Sequence, residues 1–507
     1  MAASAWHAAL ATAMLLTTGS AALAQTRAWT ISPSITLRET YNDNVALAST
    51  PQNDWITQVT PGINISGRSR RLTANVNYTA DFIGYARNHE HDRLANTLSA
   101  FGNFQAIDRF LFIDAQGNVN QTYISPFAPR PSDNTTITAN RFESRTWSLS
   151  PYVRSQLPGG YTYEVRNRNS WTRTDADFLA KIHSRQWTGS LASPISLFGW
   201  ALEANDIDTV YDDPLARPER KSRMARARLF FQPDPTVRLY ASAGRQENNF
   251  ILQQEMQSYR TYGYGGLWRP TPRTTAQFDW ERQFFGVAKL ASLEHRMRMS
   301  AFSLSYSKNV STFPQEVLRL PPGSTADLLD QIFRARIPDP VERQQAVQQF
   351  LRTTGTPAFL ASSLSFFTEQ VFLQERLQGS FALLGVRNSI SFTAFRGRTA
   401  QLTDTPAGLP SDVLLTTSSR FNQHGFGANA SHRLTPFTSL SASANRIYTQ
   451  AQDSDLHSTT DTAGLNISHA VSTKTDTFGG FTYTHFETST APTSQARAVF
   501  VGLSHRF

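Results

Sequence analysis

Polar and apolar residues alternate one by one over long stretches of this chain. From Leu72 to Phe82, the apolar set Leu72, Ala74, Val76, Tyr78, Ala80 and Phe82 is interleaved with Thr73, Asn75, Asn77, Thr79 and Asp81. Successive side chains of an extended chain point to opposite faces, so such a segment is a strand with one apolar and one polar face. The same period of two runs through Trp29–Arg38, Trp55–Ile65, Trp147–Val153, Tyr161–Arg168 and Leu440–Ala444. Two kinds of connection alternate between the strands. Short Pro/Gly-rich turns lie at 67–70, 157–160, 233–236, 270–273 and 435–438, and longer polar loops at 42–54, 122–141, 212–221, 399–417 and 450–458. Short turns on one rim and long loops on the other is the asymmetry of an outer-membrane barrel, and a soluble sandwich gives no reason for it. The pattern predicts an all-β fold, a single transmembrane antiparallel β-barrel over residues 25–507 with about 22 strands, give or take roughly two to four. Strand parity asks for one strand beyond those that the pattern shows clearly. Thr312–Leu320 is the candidate, rising between segments near 302–306 and 371–381 that are both read as descending.

One segment, 321–361, breaks the alternation. Leu328, Leu329, Ile332 and Phe333 fall at helical spacing. Asp339, Pro340 and Glu342 then read as an N-cap, a first-turn proline and a capping-box acid. Val341, Val347, Phe350 and Leu351 follow on one face, with Gly355 as a C-cap. Two short amphipathic helices need a partner surface for their stripes. Leaving from the long-loop rim, the insertion is read as a plug folded into the lumen, as a cap over the mouth, or as a hairpin resting on neighbouring loops.

Composition narrows the setting. Past residue 24 no apolar run approaches the ~18 residues of a spanning helix. The chain has no cysteine, which removes disulfides, thiolate metal sites and thiol catalysis. Residues 1–24 carry no Lys, Arg, Asp or Glu, Ala8–Leu16 is almost wholly apolar, and Ala22-Leu23-Ala24 offers a small–x–small cleavage site. That is a signal peptide, so Sec-type export to a Gram-negative-type outer membrane is expected. At the other end Val499, Val501, Leu503, His505 and Phe507 share one face, with Gly502 between them. This strand resembles the C-terminal signal read by the β-barrel assembly machinery, although Phe500 stands where a polar residue is usual and His505 replaces an aromatic hydrophobe.

Charge poses the main functional question. Lys and Arg number 48 against 39 Asp and Glu, for a formal net charge of +9. The alternation turns Arg38, Arg154, Arg166, Arg168, Arg226, Arg228 and Arg238 toward the lumen. Asp81, Glu164, Asp279 and Glu281 face inward with them. Two readings stay open: structural lumen salt bridges, or an anion-favouring path, for which guanidinium groups supply bidentate oxyanion contacts. Basic groups spread through lumen and rims do not make a nucleic-acid face. Trp29, Tyr41, Trp55, Trp147, Tyr161 and Trp171 lie near strand ends and suit interfacial girdles. Tyr240, Tyr262 and Tyr264 would make a sugar platform only if they faced the lumen or the outer loops.

Catalytic signals are missing. There is no G-x-S-x-G and no H-E-x-x-H, and His89-Glu90-His91-Asp92 reads as a solvated loop. Gly263-Tyr264-Gly265-Gly266 and Gly425-Phe426-Gly427 have no following helix to make a phosphate cradle, so they read as strand glycines. No cofactor, metal site or catalytic set is expected.

Trp29–Val45 (WTISPSITLRETYNDNV), Val59–Ile65 (VTPGINI), Ile337–Leu351 (IPDPVERQQAVQQFL) with Gly355, and Leu384–Asn388 resemble the outer-membrane proteins associated with PEP-CTERM/exosortase systems. The likeness covers nearly all of the chain past the signal. It implies a non-enzymatic barrel tied to an envelope or exopolysaccharide system and acting as pore, conduit or surface scaffold, and it brings no catalytic residues. Outer-membrane lipid, the assembly machinery and an anionic polysaccharide or other exported polymer are the implied partners. Two other expectations stand beside it: a barrel-embedded hydrolase acting on lipid or surface polysaccharide, and a purely structural or adhesive barrel.

Overall fold

In the computed structural model the described residues are 29–131, 133–176, 181–212, 219–250, 255–317, 325–334, 336–354, 371–402 and 420–507. The signal segment 1–24 and Gly355 lie outside them. The first strands are β1 (Trp29–Asn42), β2 (Asp54–Arg68), β3 (Leu72–Tyr85), β4 (Arg93–Ile107), β5 (Leu111–Tyr123) and β6 (Arg141–Gln156). The chain continues through β7 (Thr162–Thr174), β8 (Lys181–Ala192), β9 (Phe198–Asp212), β10 (Arg220–Asp234), β11 (Val237–Asn248) and β12 (Gln257–Thr271). Next come β13 (Thr274–Gln283), β14 (Gly286–Arg296) and β15 (Ser300–Ser311), then helices α1 (Phe313–Val317), α2 (Thr325–Phe333) and α3 (Pro340–Thr354). The last strands are β16 (Phe372–Leu384), β17 (Asn388–Gln401), β18 (Arg420–Arg433), β19 (Thr438–Ala451), β20 (His457–Ala470), β21 (Thr475–Thr488) and β22 (Ala491–Arg506).

The 22 strands form one sheet in which each pairs antiparallel with the next, and β1 pairs with β22 to close it. Closure runs from Ser34↔Arg506 to Asn42↔Ala498, whereas β1 pairs with β2 along its whole length, from Trp29↔Gly67 to Asn42↔Asp54. The amide of Phe507 extends the seam by donating to the Pro33 carbonyl at 3.1 Å.

The barrel is inside out. Leu229, Phe198, Val501 and Ile31 on its outer wall are 60–68% exposed, while the lumen residues Ser66, Ser380 and Asn429 are 1–2% exposed. An apolar belt of this kind is stable only against acyl chains, so the barrel spans a membrane. Strands of 10 to 16 residues suffice, since a tilted membrane strand needs about 9–11. Among the described residues no helix is long and apolar enough to cross a membrane.

Strand number agrees with expectation, but one assignment is corrected. The described part of Thr312–Leu320, up to Val317, supplies no strand: Phe313–Val317 is helical, and β15 pairs directly with β16 from Ser300↔Leu383 to Ser311↔Phe372. β15 therefore rises to the long-loop rim, and parity is met without an added strand. The cause is a connection of only two residues, Phe284–Phe285, on that rim between Gln283 and Gly286. Gly286 takes φ +113°, which lets the chain reverse without a loop. Turn length consequently stops marking the rim at this hairpin.

Candidate functional site

The lumen carries the chemistry, and its wall is built by register. On β7, Arg166 donates to Asp114 on β5 at 2.6 Å and to Glu164 at 3.0 Å, with its guanidinium 3.7 Å from the centre of the Tyr152 ring. On β10, Arg226 donates to Glu203 on β9 at 2.6 Å and to Glu281 on β13 at 3.1 Å. Arg228 reaches Glu203 at 3.2 Å. The Arg226–Glu281 bridge crosses two intervening strands, and two glycines clear its path. A Cβ on Gly244 would sit 2.7 Å from the Arg226 Cβ, and one on Gly263 would sit 2.4 Å from the Trp280 carbonyl. Gly263 belongs to the Gly263–Gly266 stretch, whose role is thus close backbone approach.

The other predicted lumen arginines meet softer partners. Arg38 lies 3.9 Å from the centre of the Phe500 ring, which accounts for an aromatic on the polar face of β22. Arg154 sits 5.3 Å from the Phe112 ring, and Arg238 donates to Gln232 at 3.0 Å. Arg168 stands beside Arg166 with Asp114 as its neighbouring acid. Of the inward acids, Asp81 is held by neutral donors, Thr60 at 2.7 Å and Gln58 at 3.2 Å.

Two structures fill the space inside. The first is the connection 124–140, which crosses to the far wall. Phe127 meets Phe421 of β18 edge-on at 5.9 Å, and Arg130 donates to Thr449 of β19 at 3.2 Å. Its near side is tied to β3 and to the first long loop, through Tyr85 Oη on the Thr135 carbonyl at 2.7 Å and the Ile137 amide on the Val45 carbonyl at 2.9 Å. Arg130 is 7% exposed, and burial pushes its guanidinium down to about 10, with Tyr123 opposing the shift. Nothing in the alternation pattern marked this loop beyond its length. An isolated phenylalanine and arginine in a polar loop were the available signal.

The second is the helical insertion. Leu328 and Ile332 of α2 pack on Ala301 and Ala382, which lie at the short-turn ends of β15 and β16. Leu329 packs with Val347 and Leu351 of α3, and Phe333 meets Phe350 edge-on at 6.1 Å. Gln345 donates to Ser66 at the short-turn end of β2, at 2.6 Å. The insertion thus leaves the long-loop rim and comes to rest across the opposite end of the lumen. Asp339 caps α3 by accepting from the Glu342 amide at 3.0 Å, and Arg343 clamps the turn through Asp330 at 2.6 Å and the Ile337 and Pro338 carbonyls at 3.0 Å. Pro340 occupies the first position of α3. α1 stays at the long-loop rim, where Phe313 is enclosed by Phe142, Ile182 and Tyr211.

At the C-terminal strand Val499, Val501 and Leu503 face outward, and Gly502 lies against the Phe478 ring, where a Cβ would approach to 2.4 Å. His505 pairs with Thr475 at 2.9 Å and meets Phe507 edge-on at 4.9 Å. Trp55, Trp147, Tyr161 and Trp171 are exposed on the outer wall. Tyr262 and Tyr264 are corrected as sugar-platform candidates. Thr261, Gly263 and Gly265 take the lumen side of β12, which turns both tyrosines toward lipid and leaves Tyr240 facing the lumen. His89–His91 forms an exposed turn, and no cluster of three metal-ligating side chains occurs among the described residues.

No family model matches the chain, and no curated protein matches it. Solved structures do. The siderophore receptor PirA from Pseudomonas aeruginosa is 10% identical, with 94% of this chain and 80% of that chain covered at a TM-score of 0.42. The siderophore receptor PirA from Acinetobacter baumannii gives the same identity and coverage at 0.49. The FrpB iron transporter from Neisseria meningitidis is 8% identical, with 95% and 82% covered at 0.47.

Proposed function

We propose that this chain is a non-enzymatic outer-membrane conduit held shut at rest by its own helical insertion, and that it serves a PEP-CTERM/exosortase-type envelope or exopolysaccharide system. The observation that carries the conduit reading is the seat of α2 and α3. Their apolar stripes are spent on each other and on Ala301 and Ala382, and Gln345 ties them across the lumen to Ser66. A barrel with about 22 strands is wide enough to need such an occluder. The sequence likeness supports the system, and an exported, acidic polymer suits a lumen wall carrying arginines.

A structural or adhesive barrel is the second reading, favoured by the filling of both lumen ends. Deleting Ala326–Leu351 separates the two. A conduit should gain conductance in liposomes by about an order of magnitude once its occluder is gone. Conductance equal to that of the intact protein sinks the plug and leaves the structural reading.

A further inference from the structure

We propose that the outer wall between β7 and β13 carries a binding site for a phosphorylated lipid of the outer leaflet, with an acyl chain along a groove of small residues and the phosphate against Arg245, Arg260 and Arg282. One row of cross-strand partners builds it. Val165↔Gly189, Gly189↔Ala204, Ala204↔Ala225, Ala225↔Arg245 and Arg245↔Arg260 follow one another without a break from β7 to β12. The row faces outward, because the alternate positions Glu203 and Arg226 hold each other in the lumen. Val165 is the fourth residue of β7 from the short-turn rim, and Arg260 is the fourth of β12 from the long-loop rim. Strand tilt thus makes the row climb through the membrane, apolar at its foot and basic at its head. Gly189, Ala204 and Ala225 floor a groove of about 430 Å³, with Val165 and Trp187 at one end and Arg223 and Arg245 at the other. A Cβ on Gly189 would meet nothing within 4 Å, so the floor is open. Small-ligand sites occupy about 300–1,000 Å³, and this groove is large enough for part of a lipid.

The head of the row is charged against itself. Arg245 and Arg260 stand directly opposite each other, and like charges so placed repel. Arg282 pairs with Tyr262, which makes it the diagonal neighbour of Arg260. Glu247 lies 3.2 Å from Arg245, and Asp206 lies 3.3 Å from Arg223. Arg260 and Arg282 are exposed, with no carboxylate in ion-pair contact among the described residues. Four arginines therefore share two acids, and an anion set between Arg245 and Arg260 relieves their repulsion. On the same face Trp280 lies 6.0 Å from Tyr262 and 5.3 Å from Tyr264 between ring centres. Aromatic rings on a barrel's outer wall settle at headgroup level, so the guanidinium groups beside them meet headgroups rather than chain ends. Long loops face the exterior, which assigns the lipid to the outer leaflet. Guanidinium binds phosphate through paired donors, and a headgroup without net negative charge leaves the repulsion in place.

This site lies on the outer wall and does not depend on whether the lumen conducts. The test uses the full-length protein in dodecylmaltoside micelles, with bound lipid counted by native mass spectrometry. The probes are a hexa-acylated bisphosphoryl glucosamine disaccharide and the same glycolipid without phosphates. The phosphorylated probe should bind saturably and about tenfold more tightly than its dephosphorylated form. Arg245→Gln combined with Arg260→Gln should remove that preference, and Gly189→Phe, which fills the groove without touching a charge, should weaken both probes about tenfold. Equal binding of the two probes overturns the phosphate site, and so does a preference that survives the double substitution. Unchanged binding in Gly189→Phe overturns the acyl groove. Displacement of the lipid by inorganic phosphate alone would make this a free-anion site and overturn the lipid assignment. Heat-modifiable migration on gels checks that each variant is folded.

Discussion

The lumen treats arginine in two opposite ways. On the wall from β5 to β13, Arg166, Arg226 and Arg228 each meet carboxylates placed by register, and glycines clear the route between strands. Around the 124–140 connection the arginines meet carbonyls and hydroxyls, with no carboxylate in direct ion-pair contact among the described residues. The first set is internally neutralised architecture. The second is held by neutral acceptors. A count of lumen arginines cannot tell the two apart, whereas the partners of their donors can.

The contrast can be broken at its strongest point first. Gly263→Val places a branched side chain against the Trp280 carbonyl and into the Arg226–Glu281 route, and should cost about 4 kcal/mol in urea unfolding from detergent. A cost near zero would mean that the bridge is not held by close strand approach. Arg226→Met leaves Glu281, 8% exposed, without its cation and Glu203 with Arg228 alone, and should destabilise by about 3 kcal/mol. The matching change in the other set reverses the sign. Arg141→Met removes a buried cation that is held by a carbonyl and by no direct ion pair, and stability should rise by about 1 kcal/mol. Equal losses for Arg226→Met and Arg141→Met would erase the distinction.

Much of this fold was legible because a barrel wall writes its facing into every second residue. The strands around Leu72–Phe82 and the outward Trp55 and Trp147 follow from that period alone. Helices α2 and α3 also followed from spacing, and Asp339 announced the cap of α3. The remainder depends on partners distant in sequence. Arg226 and Glu281 are joined only through Gly244 and Gly263 on the strands between them. The two-residue turn at Phe284–Phe285 has the length of a short-rim turn but sits on the other rim, and this misplaced the candidate strand at Thr312–Leu320. The inward course of 124–140 is set by Phe421 and Thr449, some three hundred residues away, and no local pattern encodes such a contact.

The seam between β1 and β22 governs how fast this molecule can come to exist. Thr36 bonds to Ser504 at 3.0 Å across a separation of 468 residues. Every other strand pair joins neighbours in the chain, so hairpins can zip locally while the final closure waits for the two ends of the sheet to meet. Until then both edges present unpaired backbone beside an apolar face, the combination that invites pairing with other chains. Closure is therefore the slow and hazardous step of assembly, and truncating β22 should trap an open, aggregation-prone sheet rather than a slightly smaller barrel.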